Sequence, residues 1–238
     1  MLKIEFIQIE EAKILLNQAL RLRLEVYGLR HRYTAQAYNN LARVHEVNDE
    51  YEMAIDLYIK AIEVYEILGD RYKMLLARTL NNLSTVQIKK GILKVAEKNL
   101  ARSMAISKEY SNNNSVFISA MSNLASIYTT IGRFQEAEDL YFGLLKISLS
   151  IGNKSTSNLA ALYNNIAVVL KKQCKYNEAI EYINKSLDIW RDKKDIDILN
   201  YSSALHNFGE LNKAIGKYDL ALDNFIYSIE ILENNNAN

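Results

Sequence analysis

Proline is absent from this 238-residue chain, and glycine occurs only eight times. A sheet-rich protein of this length needs turn residues at every strand reversal, so their scarcity argues for helices. The single cysteine, Cys174, excludes an internal disulfide and any cysteine-built metal site. Net charge is only +1, so the basic surplus that supplies most of a nucleic-acid binder's affinity is missing, and neither DNA nor RNA is expected as a partner. No window approaches the ~18 uncharged apolar residues of a membrane span. The opening Met1-Leu2-Lys3-Ile4-Glu5-Phe6 has neither a basic leader nor an apolar run, so no signal peptide is expected and the expected location is the cytoplasm. With 49% hydrophobic and 24% charged residues, the chain has the composition of a folded protein with a core.

That core is written as a repeat. Leu41, Leu83, Leu124, Ile166 and Phe208 stand 42, 41, 42 and 42 residues apart, and similar residues recur around each of these anchors. Asparagine precedes every one of them, at Asn40, Asn82, Asn123, Asn165 and Asn207. A small residue follows, at Ala42, Ser84, Ala125, Ala167 and Gly209. Eight residues on, at +8, come Asp49, Gly91, Gly132, Cys174 and Gly216; at +10 stand Tyr51, Leu93, Phe134, Tyr176 and Tyr218. Position +13 is always alanine: Ala54, Ala96, Ala137, Ala179 and Ala221. Each unit therefore reads as two amphipathic helices joined by a short turn, with small side chains where their axes cross closely. Gly28, Gly69, Asn112-Asn113-Asn114 and Gly152 fall where second helices should stop.

This pattern resembles the tetratricopeptide repeat, whose usual unit has about 34 residues. A 42-residue unit with Asn39-Asn40-Leu41-Ala42 on its first helix is similar to the kinesin light chain type. The stretch from Ala19 to His31 also resembles that type's segment between repeats, with Arg32 where proline is common. The resemblance implies an all-α, right-handed α-solenoid of antiparallel helix hairpins. Its expected division is an N-terminal half repeat over 1–33, hairpins over 34–73, 74–114, 115–155, 156–197 and 198–233, and a short Asn-rich tail. One period before Ala54 lies Ala12, so residues from about Ile9 to Tyr27 read as a second helix without its first. Neither end carries a polar cap, so a flanking domain or self-association is expected to cover them.

In such an architecture the first helices line a concave surface, and that surface is the expected binding site for a protein or an extended peptide. Its lining is polar. It includes Asn39, Asn40, Arg43 and Glu46 in the first hairpin, and Arg78, Asn81, Asn82 and Lys89 in the second. Ser122 and Asn123 follow in the third, Asn164, Asn165, Lys171 and Lys172 in the fourth, and His206, Asn207, Glu210 and Lys213 in the fifth. Six basic residues against two acidic ones favour an acidic partner. A carboxamide offers both a donor and an acceptor, which suits the backbone of an extended peptide. The resemblance implies that role for the five asparagines before the anchors, while an interhelical asparagine that satisfies backbone groups of the neighbouring helix is the other reading. A peptide-sensing regulatory domain of the bacterial tetratricopeptide receptor type is the alternative function.

No catalytic set or cofactor site emerges. His31, His45 and His206 occupy unrelated repeat positions, His45-Glu46 lacks the second histidine of a zinc-protease motif, and no phosphate-cradling glycine loop occurs. No enzyme activity and no metal or cofactor are expected. Tyr38, Tyr128, Tyr163 and Trp190 sit at helical spacings that predict packing.

Overall fold

The computed structural model describes residues 2–111, 115–152, 157–191 and 197–236. Among them are eleven α-helices and one short 3-10 turn, with no strand. In chain order they are α1 (Leu2–Tyr27), α2 (Arg32–Val47), α3 (Tyr51–Leu68), α4 (Lys73–Lys89), α5 (Leu93–Lys108), α6 (Ser115–Thr130), α7 (Phe134–Ser150), α8 (Ser157–Lys172), α9 (Tyr176–Arg191), α10 (Ile198–Ala214) and α11 (Tyr218–Asn236). The chain divides into two compact units, Met1–Ile127 and Tyr128–Asn238. In the first, α2 packs on α3 and α4 on α5, α3 also meets α4, and α1 lies against α2. In the second, α8 packs on α9 and α10 on α11, while α7 meets α8 and α9 meets α10.

The repeat columns explain these contacts. All five alanines at +13 are buried, as are the small residues after the anchors. At Gly209 even a methyl group is too large, since a Cβ there would lie 2.6 Å from the Phe225 ring. Every residue at +8 has positive φ, and two of them are not glycine: Asp49 at 57° and Cys174 at 61°. That conformation reverses the chain between the two helices of a hairpin. Trp190 is fully buried, and Tyr38, Tyr128 and Tyr163 are half-buried, as packing residues should be.

Serine hydroxyls form a second tie between paired helices. Ser103 and Ser186 donate to the backbone carbonyls of Ala77 and Ala160, each at 2.7 Å, and Ser228 donates to that of Ser202 at 3.1 Å. All three serines stand at +20 and reach the carbonyl 26 residues back on the partner helix.

Two helix limits differ from the sequence reading. Helix α1 begins at Leu2, ahead of Ile9, and α11 continues through Asn234 to Asn236. With no proline or glycine in either stretch, nothing local interrupts the helix. The stops expected at Gly28 and Gly69 are present, and α7 ends two residues before Gly152. The run Asn112-Asn113-Asn114 lies outside the described residues.

Candidate functional site

The asparagines on the first helices meet one another. In the first unit, Asn82 Nδ2 donates to Asn39 Oδ1 at 3.4 Å, and Asn123 Nδ2 donates to Asn81 Oδ1 at 3.2 Å. Thr79 also donates to Asn39 Oδ1, and Asn123 reaches Thr85 Oγ1 at 3.3 Å. Asn81 passes the chain on to Ser119 Oγ at 3.4 Å. In the second unit, Asn207 Nδ2 donates to Asn164 Oδ1 at 3.0 Å.

One rule covers these pairs: the asparagine before an anchor donates to the asparagine two before the preceding anchor. The N–H of one amide and the oxygen of the other satisfy each other where first helices run side by side, at about 0.5–1.5 kcal/mol per bond. Asn82, Asn123 and Asn207 thus tie neighbouring first helices, through side-chain amides and not through the backbone groups that the interhelical reading expected. Their Oδ1 atoms receive no donor among the described residues and remain open to a ligand N–H. Asn40 and Asn165 are half-buried and make no side-chain hydrogen bond among the described residues.

The basic residues fall into two groups. Lys89 faces Glu46 at 3.6 Å, and Glu46 also accepts from the Tyr58 hydroxyl at 2.9 Å. Burial, with Glu46 beside it, raises the Tyr58 pKa above the usual tyrosine range. Lys171, half-buried, lies 4.0 Å from Glu210, which Lys213 approaches to 3.8 Å. Burial lowers the Lys171 pKa from its ordinary value despite that carboxylate. Arg43, Arg78 and Lys172 are exposed and have no acid partner among the described residues. The surplus available to a ligand is thus carried chiefly by Arg43 and Arg78 in the first unit and Lys172 in the second.

The histidines have local roles. His31 Nδ1 accepts from the Tyr33 amide at the start of α2, and its ring stacks on Tyr27. His45 bonds Glu50, and His206 lies against the Phe225 ring. Among the described residues no group of three His, Cys, Asp or Glu is placed to hold a metal ion, and no helix is long and apolar enough to cross a membrane.

One feature lay beyond the sequence reading of the site. A cleft of about 660 Å³ opens between α1 and α2, floored by Ile9, Ala12 and Leu16 and walled by Asn40, Arg43 and Val44. Two expected ligand contacts, Asn40 and Arg43, line this cleft. The half repeat inferred from Ala12 was the signal for it.

Family models described as tetratricopeptide repeat match residues 8–67, 33–109 and 158–234, and a further model of the same description matches 120–155. The chain belongs to the tetratricopeptide-repeat family. A chain of these repeats has the general character of a protein-interaction scaffold. Its fold is shared with BtubC (BKLC) from P. vanneervenii, with a TM-score of 0.80 at 19% identity over 97% of this chain and 93% of that one. It is shared also with the nearly identical TPR-like repeats of a putative kinesin light chain from Podosopora anserina, with a TM-score of 0.68 at 18% identity over 78% and 88% of the two chains. In sequence, a clustered mitochondria protein homolog of Aspergillus fumigatus is 28% identical over 159 residues. That match takes in 66% of this chain but only 12% of the relative's length.

Proposed function

We propose that this protein is a non-enzymatic adaptor, working in the cytoplasm, that holds an extended acidic segment of a partner protein against its first helices. The observation that carries the reading is the pairing of two features. Exposed cations without acid partners stand on the same helices as carboxamide oxygens that accept no side-chain bond among the described residues, Arg78 with Asn82 on α4 in the first unit and Lys172 with Asn165 on α8 in the second. An acidic peptide on the first unit would set its carboxylates against Arg78 and its backbone N–H groups against the Oδ1 atoms of Asn82 and Asn123. The asparagine donors already hold the neighbouring helix, so the carboxamides serve as acceptors to the ligand.

The test is calorimetric titration of a short Asp/Glu-rich peptide and its Asn/Gln counterpart into the intact chain. The acidic peptide should bind more tightly, lose affinity as salt rises, and weaken by about tenfold or more against Arg78→Glu. Equal binding of both peptides, or no change in the charge-reversed variant, would rule the reading out.

A further inference from the structure

Between the start of α2 and the 3-10 turn Asp70–Tyr72 ahead of α4 stands a cluster of arginines and tyrosines. Arg32 Nη2 donates to the Tyr33 hydroxyl at 2.6 Å, and its guanidinium lies 4.5 Å from the centre of that ring. The Tyr72 hydroxyl is beside the same guanidinium, and Arg71 lies 6.0 Å from the centre of the Tyr72 ring. From α1, Arg23 donates to the Tyr33 carbonyl at 2.9 Å. Three guanidinium groups are thus gathered around two tyrosines.

Nothing nearby neutralises them. Arg32 and Arg71 are exposed and meet no carboxylate among the described residues, and Asp70 pairs instead with Lys73 at 3.2 Å. The Tyr33 hydroxyl accepts from Arg32 and donates to no described group, so its own proton is free. What the cluster offers to solvent is a set of donors, two guanidinium groups and a hydroxyl proton. Nor does the repeat demand these residues. Nine residues before the anchor, where the first hairpin has Arg32, the others have Met74, Ser115, Ser157 and Leu199. Eight before it, Tyr33 is replaced by Leu75, Val116, Asn158 and Asn200.

We propose that this cluster is a seat for one phosphate group carried on a side chain of a partner protein. A phosphate monoester brings about −1.5 to −2 charge and three acceptor oxygens, and a guanidinium takes two of them at once, as a lysine's point charge does not. Stacking on Tyr33 holds Arg32 in place beforehand, so little side-chain freedom is lost on binding. A carboxylate brings only about half the charge. A nucleic acid engages a track of about 6–10 phosphates, whereas this cluster has two exposed unpaired cations. The seat does not rest on the groove reading, since none of its residues is a carboxamide or a cation of the groove.

NMR of the arginine Nε–H resonances of the intact chain, titrated with a Gly/Ser pentapeptide holding one phosphoserine, tests the proposal. Saturable shifts of Arg32 and Arg71 are expected, with a dissociation constant of about 1 mM or below. The same peptide with glutamate in place of phosphoserine should bind about tenfold more weakly, and the unphosphorylated one should cause no shift. Arg71→Gln should weaken the phosphopeptide about tenfold, and Tyr33→Phe by a smaller factor. Because Arg71 is exposed, Arg71→Gln should keep the melting curve of the parent, which circular dichroism checks. No saturable shift, equal binding of the phosphoserine and glutamate peptides, or binding indifferent to Arg71→Gln overturns the proposal. Two further probes decide what carries the phosphate. Inorganic phosphate binding as tightly as the phosphopeptide would make this a site for the free ion, and a short single-stranded oligothymidine binding more tightly would make it a nucleic-acid contact; either result overturns the assignment to a partner protein. Arg78→Glu, which tests the groove, should leave phosphopeptide affinity within about twofold at physiological salt, so failure of one proposal leaves the other standing.

Discussion

At the scale of single residues, a side chain's worth here depends on which neighbour it reaches. Asn123 bonds both Asn81 and Thr85, while Asn165 makes no side-chain bond among the described residues. Asn123→Ala should therefore lower the unfolding free energy by about 1–3 kcal/mol, and Asn165→Ala by much less, as measured by urea denaturation. Equal losses would mean that the amide pair is not what stabilises Asn123. Asp49 and Cys174 hold positive φ at a turn where the other repeats have glycine. Left-handed backbone costs a non-glycine residue about 1–2 kcal/mol, so Cys174→Gly should raise stability by up to about 1 kcal/mol after the added freedom of the unfolded chain is offset. The asparagine column was plain in the sequence, but its role was not. An asparagine facing a ligand and one facing the next helix have the same spacing, and only the distance between neighbouring first helices separates them. The serines at +20 form no unbroken column in the sequence, because Ala61 and Leu144 interrupt it.

At the scale of helices, α1 is fastened by a polar cluster at the turn that follows α2. Glu50 accepts from Lys13 of α1 and from Asn48, each at 2.6 Å, and bonds His45; Lys13 also meets Glu10 at 2.8 Å. Hydrogen bonds from Lys13 first, then from His45, lower the Glu50 pKa from 4.5 to about 2. The folded state therefore favours the ionised carboxylate. Its contribution is complete above the ordinary carboxylate pKa and fades as pH falls from there toward 2. Since the pair is partly exposed to solvent, that contribution is less than about 1 kcal/mol. Glu50→Gln should be slightly less stable than the parent at pH 7 and indistinguishable from it at the acid end, with hydrogen exchange in α1 showing the difference first. A constant difference across that range would contradict the role given to Lys13 and His45. In α10, Gly209→Ala should cost about 1–3 kcal/mol in thermal unfolding through its clash with Phe225, with Phe225→Leu recovering much of it. The helix pairing itself was legible because +1, +8 and +13 each admit a narrow set of residues for steric reasons. The extents of α1 and α11 were not, because helix ends without a breaker leave no mark in a repeat.

For the whole molecule, repeats of this kind gain stability from each neighbour they pack against, so exposed apolar faces are where instability concentrates. Leu15 and Leu22 on α1, and Leu222 and Ile229 on α11, are exposed apolar residues on such faces, and a net charge of only +1 offers little repulsion between copies. Counting charges in the sequence overstated the basic surplus, since it could not place Lys89 beside Glu46 or Lys171 beside Glu210. What remains in the first unit, at Arg78, is the surplus on which the proposed function depends. Two-dimensional amide NMR of the intact chain during titration with the acidic peptide tests that function most directly. Shifts should concentrate on the first helices α2 and α4 and on the side-chain amides of Asn82 and Asn123. Shifts confined to the second helices α3 and α5 would contradict it.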